Sequence, residues 1–109
     1  MSEARALTRD DVTLRYHLEG RGELLLMLHG WPLDHRAFDA QRPALSPRYR
    51  LLIPDRRGFG ASGGVPDLAA ELDDLDALLD ASGSNRARLH SIPQSARLTS
   101  SYAAARPER

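Results

Sequence analysis

An unbroken apolar run from Leu24 to Leu28, closed by His29-Gly30-Trp31-Pro32, is the feature around which the pattern of the chain is arranged. A strand with one wet face alternates apolar and polar residues, whereas a strand covered on both faces does not. The run therefore predicts a buried parallel strand. Gly30 permits a sharp turn and a close approach of backbone to whatever lies above the strand end, and Pro32 removes a donor and stops the pairing. Ligands of open α/β sheets bind beyond the carboxyl ends of the strands. The Gly30–Trp31 backbone is the first place to expect chemistry.

Upstream, residues 1–10 are polar and carry no strong pattern, while Val12, Leu14, Tyr16 and Leu18 alternate with other residues as in a half-buried strand near a sheet edge. Glu19-Gly20-Arg21-Gly22 reads as a turn. Downstream, Asp34 is placed to cap a helix carrying Ala37, Phe38, Ala40 and Ala44, limited by Pro43 and ended by Ser46-Pro47. Tyr49 to Ile53 predicts a second strand, broken by Pro54-Asp55, and residues 56–65 form a glycine-rich loop. Pro66 suits the first turn of a helix whose Leu68, Leu72, Leu75 and Leu79 make one apolar stripe, and Gly83 ends it. Ala87 to Ile92 predicts a short third strand, and Gln94 to Ala105 a helix weakened by Thr99-Ser100-Ser101. The order β-β-α-β-α-β-α implies an α/β fold with a partial, mostly parallel sheet and covering helices.

Composition narrows the function classes. The 109 residues suffice for one small domain, and 15 basic against 15 acidic residues give a net charge of zero. That balance offers no electrostatic case for nucleic acid or an anionic membrane surface as partner. Arginine supplies every basic residue, and the absence of cysteine excludes disulfides and thiolate metal sites. The polar N-terminus lacks a signal-peptide core and no apolar run approaches membrane-spanning length, so the expectation is a cytoplasmic protein.

Several motifs carry a chemical reading beside a plainer one. Gly58-Phe59-Gly60-Ala61-Ser62-Gly63 matches G-x-G-x-x-G between a strand and a helix, which would suit a nucleotide-binding domain. In a dinucleotide site, however, the helix opens within the motif, and here Pro66 delays it; the next strand also ends in Ser91-Ile92 rather than in a ribose-binding acid. Asp67, Glu71, Asp73, Asp74, Asp76 and Asp80 make an acidic helix, read as a solvated face rather than a metal site, because ligating carboxylates must converge on one point. His17 and His35 read as isolated and exposed. His29, at a strand end in a tight turn, reads as a residue that orients the loop through hydrogen bonds. No metal and no cofactor are expected.

Together, His29-Gly30-Trp31-Pro32, then Pro54-Asp55-Arg56-Arg57-Gly58-Phe59-Gly60-Ala61-Ser62, then the leucine-striped helix, resemble the N-terminal half of an α/β-fold hydrolase of the serine esterase, enol-lactonase and haloperoxidase-like subgroup. The resemblance implies a G-x-S-x-G elbow after the next strand, with the nucleophilic serine on a strained turn. The block from Tyr102 to Arg109 looks like the segment that ends the helix after the elbow, and counting back from it without a gap places Ser91-Ile92-Pro93-Gln94-Ser95 on that motif. Pro93 then occupies the nucleophile position without a hydroxyl, and its φ cannot reach the positive value typical of an elbow nucleophile. Ser91 and Ser95 stand where glycines are expected. A rival register makes Ser91 the nucleophile, but Leu89 and Pro93 would then replace the glycines.

The resemblance further implies an oxyanion hole built from the backbone N–H groups of Trp31 and Gln94, with His29, Gly30 and Pro32 shaping its loop. It places the acid and the general-base histidine after later strands, in the order Ser, acid, His. The expectation is thus a single partial domain over residues 1–109 that lacks the C-terminal half and has no intact catalytic set. The parent activity would be hydrolysis of a small-molecule ester, lactone or similar acyl bond. The alternatives are a non-catalytic interaction module, which could self-associate through an exposed sheet edge, and the nucleotide-binding domain.

Overall fold

The computed structural model describes residues 3–30, 33–91 and 96–108. Strand β1 (Glu3–Arg9) and β2 (Val12–Gly20) form an antiparallel hairpin in which Arg9 faces Val12. Asp10 and Asp11 make the two-residue turn, with φ of 50° and 64°, the left-handed pair that matches the twist of the flanking strands. The polar N-terminus is therefore a strand. Its alternation is hidden because the inward positions are Arg5, Leu7 and Arg9, half-buried between exposed Ala6 and Thr8.

Three more strands complete one mixed sheet: β3 (Glu23–Leu28), β4 (Tyr49–Pro54) and β5 (Arg88–Ser91), in the order β1-β2-β4-β3-β5. β2 pairs antiparallel with β4, and β3 lies between β4 and β5 in parallel with both. β2 is thus one strand in from the edge, with β1 outside it. The unalternating run of β3 is buried on both faces. Leu24, Leu26 and Leu28 join Tyr16, Leu18 and Leu52 beneath two helices, α2 (Leu68–Ala81) and α3 (Ala96–Ala105), which contribute Leu75, Leu78, Leu79, Leu98 and Tyr102. Leu25 and Met27 face the other way, with Leu51, Ile53 and the fully buried Phe38.

The helix expected after Asp34 is split. Asp34 caps a single 3-10 turn, His35–Phe38, its carboxylate accepting from the Arg36 N–H at 2.9 Å. A separate short helix, α1 (Arg42–Leu45), carries Pro43 in its first turn. Pro43 has no N–H to give to the preceding turn, so one continuous helix cannot form across it. Pro66 lies just before α2 rather than in its first turn, and the cap is Asp67, whose carboxylate accepts from Ala69 N–H at 3.0 Å. Gly83, at φ +83°, takes the left-handed position that closes the helix.

The largest departure concerns the acidic helix. Glu71 and Asp74 are 4% and 3% exposed. The Arg57 guanidinium forks onto Asp74 at 2.8 and 2.7 Å, and Arg56 forks onto Glu71 at 2.8 and 3.2 Å. Arg9 of β1 approaches Asp74 at 3.6 Å from another side. Tyr102 donates its hydroxyl to Asp76 at 2.8 Å, where Arg106 also donates at 2.8 Å. Only part of α2 is a solvated face; the rest is an ion-paired seam against the loop after β4. On the outer side of β5, no strand pairs among the described residues, and this short edge carries Arg88, which is bonded to Glu23 at 2.7 Å.

Breaking a buried ion pair from one side leaves the other charge desolvated and alone, at a cost of about 3–5 kcal/mol. Asp74→Ala should lower the urea-unfolding free energy by about that amount. Asp73→Ala, whose carboxylate is 59% exposed, should cost no more than about 1 kcal/mol. Equal losses in the two variants would show that the Arg57–Asp74 pair is not what anchors α2.

Candidate active site

The parallel strands point their carboxyl ends to one rim, where β3 leads into His29, β4 into Asp55 and β5 ends at Ser91. His29 is fully buried. Its Nε2 accepts the Arg56 backbone N–H at 2.8 Å, and its Nδ1 lies 2.8 Å from the Gly30 carbonyl. A backbone N–H can only donate, so Nε2 is the acceptor and Nδ1 carries the proton it gives to Gly30. Arg56 returns a bond from its guanidinium to the His29 carbonyl at 3.2 Å, and the Phe59 ring meets the imidazole edge-on at 5.8 Å. With both nitrogens committed, His29 ties the turn after β3 to the loop after β4.

Asp55 is the second fixed point, 2% exposed. Its Oδ1 accepts from the His35 backbone N–H at 2.8 Å and lies 2.6 Å from His35 Nδ1; its Oδ2 accepts from Ala61 N–H at 2.9 Å. His17 stacks on His35 with ring centroids 4.3 Å apart. These two histidines are therefore neither isolated nor fully exposed: strand pairing and the capped turn bring them together over Asp55. Ser62 clamps the same loop to β2, donating to the Asp55 carbonyl at 2.6 Å and accepting from the Arg15 N–H at 2.8 Å. Gly60 is required here. Its φ is +54°, and a Cβ would lie 2.5 Å from the Asp55 carboxyl carbon and 2.9 Å from Asp34 Cβ.

The glycine-rich loop spends its amides internally. Gly58 N–H bonds to the Gly63 carbonyl, Phe59 N–H to Arg56, Ser62 N–H to Phe59 and Gly63 N–H to Thr13, at 2.8 to 3.0 Å. Helix α2 begins only at Leu68. A phosphate cradle needs free amides at a helix N-terminus, and this loop presents none of those four.

Of the residues singled out from the sequence, His29 and Gly30 stand at the rim, and Ser91 is the last residue of β5. Trp31, Pro32, Pro93 and Gln94 lie outside the described residues. From the sequence Asp34 is expected only as a helix cap, His35 as an isolated residue, and Asp55 and Ser62 only as part of the loop motif; that Asp34-His35 follows one strand end and Asp55 the next is the signal for their convergence. Asp34, His35 and Asp55 each bring a ligating atom within 4.8 Å of the others, a convergence that the acidic helix does not offer among the described residues. The Arg36 guanidinium, bonded to Asp34, holds that carboxyl down to about 2.

Burial lowers the pKa of His29 below 6.5, and the Arg56 charge acts in the same direction, while its hydrogen bond to the Gly30 carbonyl opposes them. Burial, followed by the charges of His35 and Arg42, also lowers that of His17. As the pH falls below about 6.5, the unfolded chain binds protons that the folded chain refuses, so stability must fall with pH. Each histidine contributes up to about 1.4 kcal/mol per pH unit until its folded pKa is reached. Urea midpoints between neutrality and mild acidity should show this slope, and His29→Gln, which keeps an acceptor without titrating, should reduce it. An unchanged slope would mean that His29 accepts a proton in the folded protein.

A model of the alpha/beta hydrolase family matches residues 25–95 of this chain. An AB hydrolase superfamily protein of Bacillus subtilis, YisY, is 38% identical over 74 residues, covering 67% of this chain and 26% of its own length. A non-heme chloroperoxidase of Kitasatospora aureofaciens is 40% identical over 76 residues, covering 66% and 28%. Among solved structures, a hydrolase from Pseudomonas aeruginosa PA01 superposes with a TM-score of 0.90 at 31% identity, over 97% of this chain and 42% of that one. A Vigna radiata epoxide hydrolase mutant superposes with a TM-score of 0.89 at 26% identity, over 99% and 36%. The chain thus spans well under half the length of these relatives. No helix among the described residues is long and apolar enough to cross a membrane. The strand order, the family match over residues 25–95 and the superpositions show that the 109 residues cover part of a larger fold, and the chain belongs to the α/β hydrolase family.

Proposed function

We propose that these residues are the first half of an acyl hydrolase acting on a small ester or lactone through a serine acyl-enzyme, and that in this chain the chemistry is lost. The observation that carries the reading is the convergence of the β3, β4 and β5 ends on one rim, in a chain of this family, with Pro93 counted onto the nucleophile position just beyond Ser91. In this reading the N–H groups of Trp31 and Gln94 face the developing oxyanion, and the His29–Arg56 lock holds the first of those loops at its strand end. Proline has neither the hydroxyl to attack a carbonyl nor the φ an elbow needs. The outer edge of β5, which no strand pairs among the described residues, supports a second reading, a non-catalytic module that pairs with another chain.

The purified chain, incubated with an activated aryl ester, should show neither turnover above background nor an acyl adduct by intact-mass spectrometry. An adduct on Ser91 would reverse the register and restore a nucleophile. The triple variant Pro93→Ser, Ser91→Gly, Ser95→Gly should rebuild the elbow yet turn over little by itself, because the oxyanion hole alone supplies limited catalysis. Full activity in that variant would contradict the half-fold reading. Concentration-dependent dimerisation on size exclusion would favour the interaction module.

A further inference from the structure

We propose that Asp34, His35 and Asp55 form a binding site for a divalent transition-metal ion of the zinc class. The three ligating atoms come from two separate strand exits and converge within 4.8 Å. Two carboxylates and one imidazole are a borderline-hard donor set that suits zinc, cobalt or nickel better than calcium or magnesium, which take oxygen ligands in larger number. Tetrahedral zinc held by three protein ligands leaves its fourth position to water.

The surroundings are built to hold these ligands. His35 Nδ1 and Asp55 Oδ1 are 2.6 Å apart with a proton between them. The metal would take the place of that proton, which leaves to solvent, and the two atoms would move apart to about 3 Å around bonds of about 2.0–2.2 Å. Behind them, Ala61 N–H fixes Asp55 Oδ2 at 2.9 Å, and His17 covers the face of the His35 ring. Outer contacts of this kind orient metal ligands and tune their affinity. Gly60 packs directly against the Asp55 carboxylate and the Cβ of Asp34, closing the inner side. An open groove past Tyr16, His17 and Ala61 leads to His35 and Asp55 from outside. Arg5 and Arg15 also line it, and their charges oppose any entering cation, so the two carboxylates and the imidazole must outweigh that repulsion. The Arg36 side chain, which now neutralises Asp34, is 74% exposed and can swing into water when a metal arrives.

The test is zinc titration of the 109-residue chain by equilibrium dialysis and calorimetry, with Zn²⁺ alone as the probe. One equivalent should bind. Asp34→Asn, which retains a good helix cap, and His35→Phe, which retains the stack on His17, should each weaken binding at least tenfold. His90→Gln should leave it unchanged. Circular dichroism of each variant separates loss of a ligand from loss of fold, and Asp34→Asn alone decides if His35→Phe is misfolded. Absence of binding at millimolar zinc overturns the proposal, as does binding that survives Asp34→Asn and His35→Phe or that disappears with His90→Gln.

Discussion

The buried carboxylate of Asp55 is the constraint on which the rim of this sheet depends. It sits where β4 ends, and its two oxygens receive hydrogen bonds from the turn after β3 and from the glycine-rich loop. The next two residues, Arg56 and Arg57, fork onto Glu71 and Asp74 of α2. Three consecutive side chains thus connect one strand end to a neighbouring turn, its own loop and the covering helix. In water each of these contacts would be weak. With Asp55 and Asp74 each no more than 3% exposed, the charges face a medium that screens them poorly, so their geometry matters more than their number.

A net charge of zero conceals this arrangement. Arginine is the only basic residue type in the chain, and several arginines are turned inward rather than spread over the surface. Arg9, Arg56 and Arg57 all serve the seam beside α2. A planar guanidinium can meet a carboxylate with two parallel bonds, which an ammonium cannot. The choice of arginine at these positions is therefore a structural matter as well as a compositional one.

Most of the architecture was legible from apolar periodicity, because β3, β4 and α2 express their burial directly in leucine spacing. The failures share a cause. β1 was invisible because its inward positions hold Arg5 and Arg9, and the burial of Glu71 and Asp74 was missed because their partners lie 15 and 17 residues earlier in the chain. The stack of His17 on His35 likewise joins residues from different elements. Patterns along the chain report which residues avoid water; they do not report which charges find each other across it. Pro43 marks a limit in the sequence, and in the structure one proline suffices to divide the expected helix into two pieces.

The position of β3 has a consequence for how the protein is made. β3 precedes both of its neighbours in the chain but lies between them in the sheet, with Leu25 paired to Leu51 on one side and to Arg88 on the other. The β1–β2 hairpin closes over two adjacent residues, so its strands can pair with each other as soon as both have been made. The second edge of β3, by contrast, waits until β5 has left the ribosome. At about 5–20 residues per second that wait is on the order of several seconds, against microseconds to form a hairpin. The run that becomes the driest part of the core is thus the segment left half-paired longest during synthesis, and the stage at which a nascent chain most needs protection from its neighbours.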